Sequence, residues 1–371
     1  MMFAQNGSIS GRQLHRMLVL DLFAASSIIL PRLLPRVCGR QGFYAIAAAV
    51  LFAFLISAVY IKAALGCGSD LYGCAVRCGG RMAGSGILLF FMVKFLLSAA
   101  FILKMFAEVI GRTFLTEMPK RLVAALMILT ALYGVSKGME TRGRLCEILM
   151  WFVLVPMMVI VFFAAPQMRG SRIFPMEITN VREIFSGGFL CAAVFSVCEF
   201  LLFAVPYVRR ESREQAAFWG IYRFAAKAIL AAFLCTAAIY IVCIGVFSSA
   251  GAAAEQWPSV TLMQVIRLPG RFISRQDGLM LAVWMGSVFV LLGSYIFYTA
   301  EMTKKLFPKK YFKGTMLLWL ALVYGLFWVI EDYGRFEQFY WKIMAFIGLP
   351  ASVLIAVWLL ICGKKKENAC D

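Results

Sequence analysis

The residue best placed to do chemistry in this sequence is Glu199, which lies inside the apolar run from Gly187 to Pro206. That run is long enough to cross a bilayer, and a carboxylate within it costs roughly 3 kcal/mol on membrane-insertion scales unless it is paired or protonated. Such a group can hold a ligand, carry a coupling proton or form a buried ion pair between two helices. All three roles stay open at this stage.

Two further ionisable residues lie deep in apolar runs, Asp21 in the first run and Lys94 in the third. Because unpaired charges are costly in the membrane interior, we expect structural or coupling ion pairs among them, either Lys94 with Glu199 or Lys94 with Asp21. Tyr295 and Tyr298 share nearly one face of a later apolar helix. Each offers a ring and a hydroxyl, although a core aromatic is the simpler interpretation of either residue alone.

The motifs of enzymes and metal proteins are missing from the sequence. His15 is the one histidine, and no nucleophile or phosphate-binding motif occurs. The eleven cysteines argue against a disulfide framework, since their number is odd and several lie in apolar runs. Cys67, Cys74 and Cys78 cluster but fit no common zinc spacing. We therefore expect no catalytic residue, no metal and no cofactor.

The composition is that of a polytopic membrane protein. Of the 371 residues, 62% are hydrophobic and only 15% are charged, whereas soluble domains average about 25% charged residues. The net charge of +18 arises from basic residues that lie between apolar runs and form no single patch. This distribution indicates contact with an anionic bilayer surface and excludes nucleic acid as the expected partner.

Ten transmembrane helices are predicted in an all-α fold. A weak excess of Lys and Arg on one side predicts that both termini are cytoplasmic. The predicted spans are residues 14–34, 43–64, 85–109, 121–137, 146–165, 187–207, 217–248, 279–303, 314–331 and 340–362.

Ten spans permit two inverted repeats of five spans within a single membrane domain, 9–166 and 186–363, followed by a basic tail, 364–371. Spans one and six then correspond, and each has small or polar residues at mid-span followed by a proline. Matching interruptions of this kind point to a binding site between the two spans.

The loop from Gln256 to Asp277 is long for a membrane protein and is typical of a lid or an interfacial element. Arg275 and Asp277 are candidates for a salt bridge to a neighbouring loop.

Several short stretches, taken in order and spacing, resemble the GerAB-type spore germination proteins, a branch of the amino acid–polyamine–organocation superfamily. The likeness extends from Ile9 to the end of span ten. The stretches are Ile9-Ser10 with Gln13-Leu14 and Leu30-Pro31-Arg32, Lys137–Glu140 with Arg144 and Glu147–Leu149, Glu199 with Pro206, and Trp257-Pro258 with Arg275 and Asp277.

The resemblance implies a LeuT-like bundle in which spans one and six unwind at mid-membrane and frame a small-molecule site. It also implies a role as the membrane subunit of a nutrient germinant receptor in the inner spore membrane. Its partners would be an A-type membrane subunit, a C-type lipoprotein and a nutrient such as an amino acid. The implied ligand-binding residues are Ala24, Ala25, Ser26, Ser27, Phe195, Ser196, Glu199 and Tyr298.

Two other functions are compatible with the same resemblance: an amino acid transporter with proton or cation coupling, and a structural subunit that binds no ligand. Relatives often carry glycines at the break in span one, where this chain has Ala24 to Ser27. Because alanine favours helix and glycine eases unwinding, a smaller break is expected here.

Overall fold

The computed structural model describes residues 7–68, 71–113, 117–174, 178, 180–209, 214–265, 276–306 and 312–367. These residues form helices, and the one β-bridge among them joins Ile9 to Val208. The α-helices are α1 (Gly11–Ser26), α2 (Leu30–Cys38), α3 (Gly42–Cys67), α4 (Leu71–Thr113), α5 (Lys120–Ser136), α6 (Gly138–Ala164), α7 (Gly170–Ile173), α8 (Val181–Val194), α9 (Phe200–Ala204), α10 (Glu214–Ala254), α11 (Pro258–Val265), α12 (Gln276–Leu306), α13 (Phe312–Val329), α14 (Tyr333–Ile343) and α15 (Leu349–Glu367).

Within the described residues, seven helical segments are long and apolar enough to cross a membrane. Helices also occupy the other predicted spans, namely α1, α5 and α13. The predicted number of ten crossings and the cytoplasmic position of both termini stay predictions. The seven segments are Leu30–Cys67, Leu71–Thr113, Gly138–Gln167, Val181–Tyr207, Ala216–Ala254, Trp284–Leu306 and Tyr333–Cys362.

Span one is interrupted only briefly. Helix α1 ends at Ser26 and α2 begins at Leu30, so a single turn separates them. Ser27 keeps helical angles (φ −65°, ψ −30°), and its amide donates to the carbonyl oxygen of Phe23. The alanines before the break favour helix, and Pro31, which lacks an amide hydrogen, suits the first turn of α2.

Span six is interrupted at the corresponding place. Helix α8 ends at Val194, and Phe195–Glu199 form a tighter 3₁₀ turn before α9 begins at Phe200. A 3₁₀ stretch inside a helix has poorer hydrogen bonds than the α-helix around it, and such stretches often mark hinges. This segment packs against α1, so the two interruptions face each other in the middle of the bundle.

Spans one and six are also joined near both of their ends. At one end, the amide of Ile9 donates to Tyr207 O (2.8 Å) and that of Arg209 donates to Ile9 O (3.0 Å). At the other end, the thiol of Cys38 donates to the carbonyl oxygen of Glu183 (3.1 Å). The two interrupted spans are therefore held side by side by hydrogen bonds at both ends.

The remaining helices pack in matching pairs. Helices α1 and α2 of span one pack against α10 of span seven, and α8 of span six packs against α3 of span two. Likewise α13 packs against α4, and α5 packs against α12. Each of these contacts therefore has a counterpart five spans later, which is the pattern that an inverted repeat produces.

The start of α3 allows a direct test of this packing. A Cβ added to Gly42 would lie 2.2 Å from the hydroxyl oxygen of Tyr240, which donates to the carbonyl oxygen of Gly39. We expect Gly42→Ala to lower the free energy of unfolding by about 1 to 3 kcal/mol through overpacking. The measurement is the thermal midpoint of the purified protein in detergent.

The control is Gly86→Ala in α4, where the added Cβ meets no atom within 4 Å. Its thermal midpoint should equal or exceed that of the wild type, because alanine favours helix. Equal midpoints for the two variants would show that α3 and α10 do not approach this closely.

Candidate functional site

A small cavity lies between the two interrupted spans. Its volume is about 10 Å³, which is the room that one water molecule needs. Spans one, three, six, eight and ten all contribute to its wall. The lining residues are Ala25, Ile29, Phe101, Ile102, Ala193, Val194, Ser196, Val197, Tyr295, Tyr340 and Trp341.

Two of the predicted ligand-binding residues, Ala25 and Ser196, line this central cavity. Ala24 and Phe195 are buried but lie outside its wall. Sequence reasoning missed Tyr340 and Trp341 of α14, because an aromatic residue in an apolar run gives the same signal whether it packs in a core or faces a cavity.

The serines at the break in span one bind neighbouring helices. Ser26 donates to Leu22 O (2.7 Å), and its hydroxyl also lies 2.7 Å from that of Thr236. Ser27 accepts a hydrogen bond at Oγ from the indole of Trp284 (3.0 Å) and one at its carbonyl from Ser259 (2.8 Å). These hydroxyls therefore hold the break in place and do not line the cavity.

Glu199 pairs with Lys94, and both side chains are buried. Lys94 Nζ lies 2.5 Å from Glu199 Oε2 and also donates to the carbonyl oxygen of Gly348 (3.1 Å). The ammonium thus joins spans three, six and ten. Glu199 does not line the central cavity, and its charge is offset by an internal partner.

Asp21 does not pair with Lys94. Ser294 donates to the carboxylate of Asp21 (3.0 Å to Oδ1) and accepts a hydrogen bond from Arg142 Nη2 (2.6 Å). All three side chains are buried. Because the guanidinium belongs to α6, this chain of hydrogen bonds joins spans one, five and eight.

The sequence assigns no role to Arg142, because span five is predicted to begin at 146 and Arg142 then lies in a loop. Helix α6 in fact begins at Gly138, so Arg142 lies in its second turn. The guanidinium carbon lies 4.9 Å from the ring centroid of Phe297 and 5.9 Å from that of Tyr298. These distances are within the range of cation–π contacts.

Tyr298 faces a second, larger cavity, of about 250 Å³, near the joined ends of Ile9 and Tyr207. Glu301 and Lys305 are among its lining residues, and Glu301 accepts a hydrogen bond from the hydroxyl of Tyr207 (3.1 Å). Tyr298 therefore does not line the central cavity.

Two other expectations concern side chains beyond the central bundle. The predicted salt bridge of Arg275 and Asp277 lies outside the residues whose side chains the structure describes. In the part of the chain that is described, no group of three His, Cys, Asp or Glu residues could hold a metal ion.

This bundle, with two interrupted helices facing each other across a central cavity, is the LeuT-type transporter fold. The crystal structure of MhsT in complex with L-phenylalanine is similar to it over 91% of this chain and 87% of that one, with a TM-score of 0.64 and 13% sequence identity. The predicted all-α membrane fold with LeuT-like inverted repeats is thereby confirmed.

Residues 8–333 match the family described as "Spore germination protein", and the chain belongs to this family. Three Bacillus subtilis (strain 168) proteins are among its relatives. Spore germination protein B2 is 23% identical over 58% of this chain and 57% of its own length. YndE is 23% identical over 62% of each chain, and A2 is 22% identical over 67% of this chain and 66% of its own length. The matched region thus spans less than two thirds of each of these relatives.

Proposed function

We propose that this chain is the membrane subunit of a nutrient germinant receptor and that it binds a small nutrient, such as an amino acid, in the central cavity. The observation that carries the proposal is the cavity itself, which lies where the interruptions of spans one and six meet. Membership of the spore germination family supports the biological role, and the LeuT-type fold supports the position of the site.

The proposed partners are an A-type membrane subunit and a C-type lipoprotein, in the inner spore membrane. The proposed ligand contacts are fewer than those that the sequence predicts. Ala25 and Ser196 touch the nutrient, and the other predicted binding residues are buried outside the wall of the central cavity. These others are Ala24, Ser26, Ser27, Phe195, Glu199 and Tyr298.

Binding in this cavity requires the wall to move. An amino acid is larger than the space of about 10 Å³, so a nutrient can bind only a conformation in which spans one and six have separated at their interruptions. A ligand that binds one conformation better shifts the population toward it. Exposed backbone groups and half-helix dipoles at the two breaks then offer partners for the charged ends of an amino acid.

The transporter alternative, with a coupling ion at Glu199, has less support from the geometry. The carboxylate of Glu199 is bonded to the ammonium of Lys94 at 2.5 Å, so it offers no vacant place for a coupling cation. The third possibility, a subunit that binds no ligand, is decided by the following experiment.

We expect Ala25→Leu to raise the nutrient concentration needed for half-maximal germination by about fivefold or more. The added atoms fill a cavity that must receive the ligand, and overpacking of about 1 to 3 kcal/mol corresponds to roughly a 5- to 150-fold loss of affinity. The measurement is the dose–response of spores that carry the variant in an otherwise intact receptor. Thr130→Leu, at an exposed position of α5, serves as the control.

An unchanged dose–response for Ala25→Leu, with normal protein levels, would favour the subunit without ligand. Uptake of an amino acid by the purified chain in proteoliposomes would instead support the transporter.

A further inference from the structure

The indole of Trp341 is a buried hydrogen-bond donor for which the described part of the chain offers no acceptor. Trp341 is 8% exposed, and its Nε1 has no hydrogen-bond partner within the described part of the chain. Buried polar groups in folded proteins are nearly always paired, and the few exceptions call for an explanation. Since Trp341 lines the central cavity, the explanation is to be sought there.

The ring of Trp341 is held in one orientation by its neighbours. It packs edge-on against Phe101 (centroids 5.5 Å apart, 80° between planes) and against Tyr340 (5.0 Å, 76°). Phe101 and Tyr340 stack on each other at 4.0 Å, and the hydroxyl of Tyr340 donates to Ser98 (3.0 Å). Aromatic rings of spans three and ten therefore form this part of the wall, and the N–H group of Trp341 in it has no partner among the described residues.

The charge around the cavity is balanced without a ligand. Its described lining holds no Asp, Glu, Lys or Arg. Glu199, a carboxylate that the sequence marks as functional, is neutralised by Lys94. A ligand with a net charge would have to enter a low-dielectric site with no counter-ion, which is strongly unfavourable.

We propose that Trp341 donates a hydrogen bond from Nε1 to an acceptor oxygen of the nutrient, so that span ten joins spans one, three, six and eight in the binding site. The ligand is a small molecule with no net charge, zwitterions included, and it presents a carboxylate, carbonyl or hydroxyl oxygen toward span ten. The inference rests on the proposed function, since it assigns a contact within the same cavity.

The test compares Trp341→Phe, which keeps an aromatic ring but removes the donor, with the wild type. The control is Trp319→Phe, which removes an indole whose N–H donates to Thr303 (2.6 Å), away from the cavity. The probes are L-alanine, L-valine and L-phenylalanine, with L-lysine and L-glutamate as charged counterparts. Affinity is measured as the ligand-dependent rise of the thermal midpoint.

We expect uncharged probes to bind the wild type and Trp341→Phe to bind them roughly three- to tenfold more weakly, the usual effect of one hydrogen bond. Trp319→Phe should bind as the wild type does. A ¹⁵N spectrum of the indole groups adds a direct readout. The resonance that is absent from Trp341→Phe should move downfield when the probe binds the wild type.

Each opposing outcome has a separate meaning. Equal affinity of the wild type and Trp341→Phe would overturn the inference while the proposed function stands. So would an indole resonance of Trp341 that does not shift when the probe saturates the wild type, since a water molecule would then be the partner of the donor. Tighter binding of the charged probes would overturn the proposed ligand class. Failure of every probe to bind the wild type would overturn both the inference and the binding of amino acids.

Discussion

Substitution of Lys94 by methionine is expected to lower the free energy of unfolding by about 3 to 5 kcal/mol, because it leaves the buried carboxylate of Glu199 without its partner. The side chain of Lys94 is 4% exposed and that of Glu199 is 2% exposed, so water cannot replace the lost ammonium. The variant should show a lower thermal midpoint in detergent and a smaller yield of folded protein.

The double variant Lys94→Met/Glu199→Met separates this effect from the loss of packing. Replacing both members of a buried pair with apolar groups is often neutral or stabilising, so the double variant should recover most of the loss. Lys304→Met, which breaks a partly exposed pair with Glu301, should change stability by less than about 1 kcal/mol. A double variant that is no more stable than Lys94→Met would contradict the assignment of the loss to an unpaired charge.

Substitution of Arg142 by methionine should be destabilising to a similar degree, again about 3 to 5 kcal/mol. The change removes the guanidinium that reaches Asp21 through Ser294, and it also removes the contacts with Phe297 and Tyr298. Spans one, five and eight would lose a shared polar contact, so proteolysis of the purified protein should also become faster.

Arg144 provides a matched control in the same helix. Its side chain is 42% exposed and forms an i,i+4 pair with Glu140, a kind of pair that is worth little in stability. If Arg144→Met destabilises the protein as much as Arg142→Met does, burial of the guanidinium is not what makes Arg142 important. Recovery of stability in Arg142→Met/Asp21→Asn would further support the unpaired carboxylate as the cause.

The sequence identified the residues whose burial in a membrane costs free energy. Glu199, Lys94 and Asp21 could be recognised because charges in apolar runs are expensive and rarely accidental. The two interrupted spans could be recognised because each has small or polar residues at mid-span, where the helix is interrupted. Choosing between Asp21 and Glu199 as the partner of Lys94 requires knowing how three helices are rotated about their axes. Hydropathy does not specify this orientation.

The roles of other residues could not be recognised from the sequence. Arg142 lay outside the predicted span, because helix α6 begins eight residues before the boundary that hydropathy suggested. Trp341 was one aromatic among many, and only the position of α14 against the central cavity distinguishes its indole from those that pack in the core. Ser26 and Ser27 were predicted as ligand contacts, yet their hydroxyls bond to Thr236 and Trp284, which only the three-dimensional packing could reveal.

The hydrogen bonds that join spans one and six at both ends limit how this chain can change shape. Ile9 is bonded to Tyr207 at one end, and Cys38 is bonded to Glu183 at the other. While the hydrogen bonds at both ends are kept, the two spans can separate only at mid-length, by bending at points where the helix is irregular. Those points are the turn at 27–29 and the 3₁₀ stretch at 195–199. On the proposed function, a nutrient that enters the cavity pushes the two spans apart at mid-membrane, and the helices packed behind the two breaks move with them.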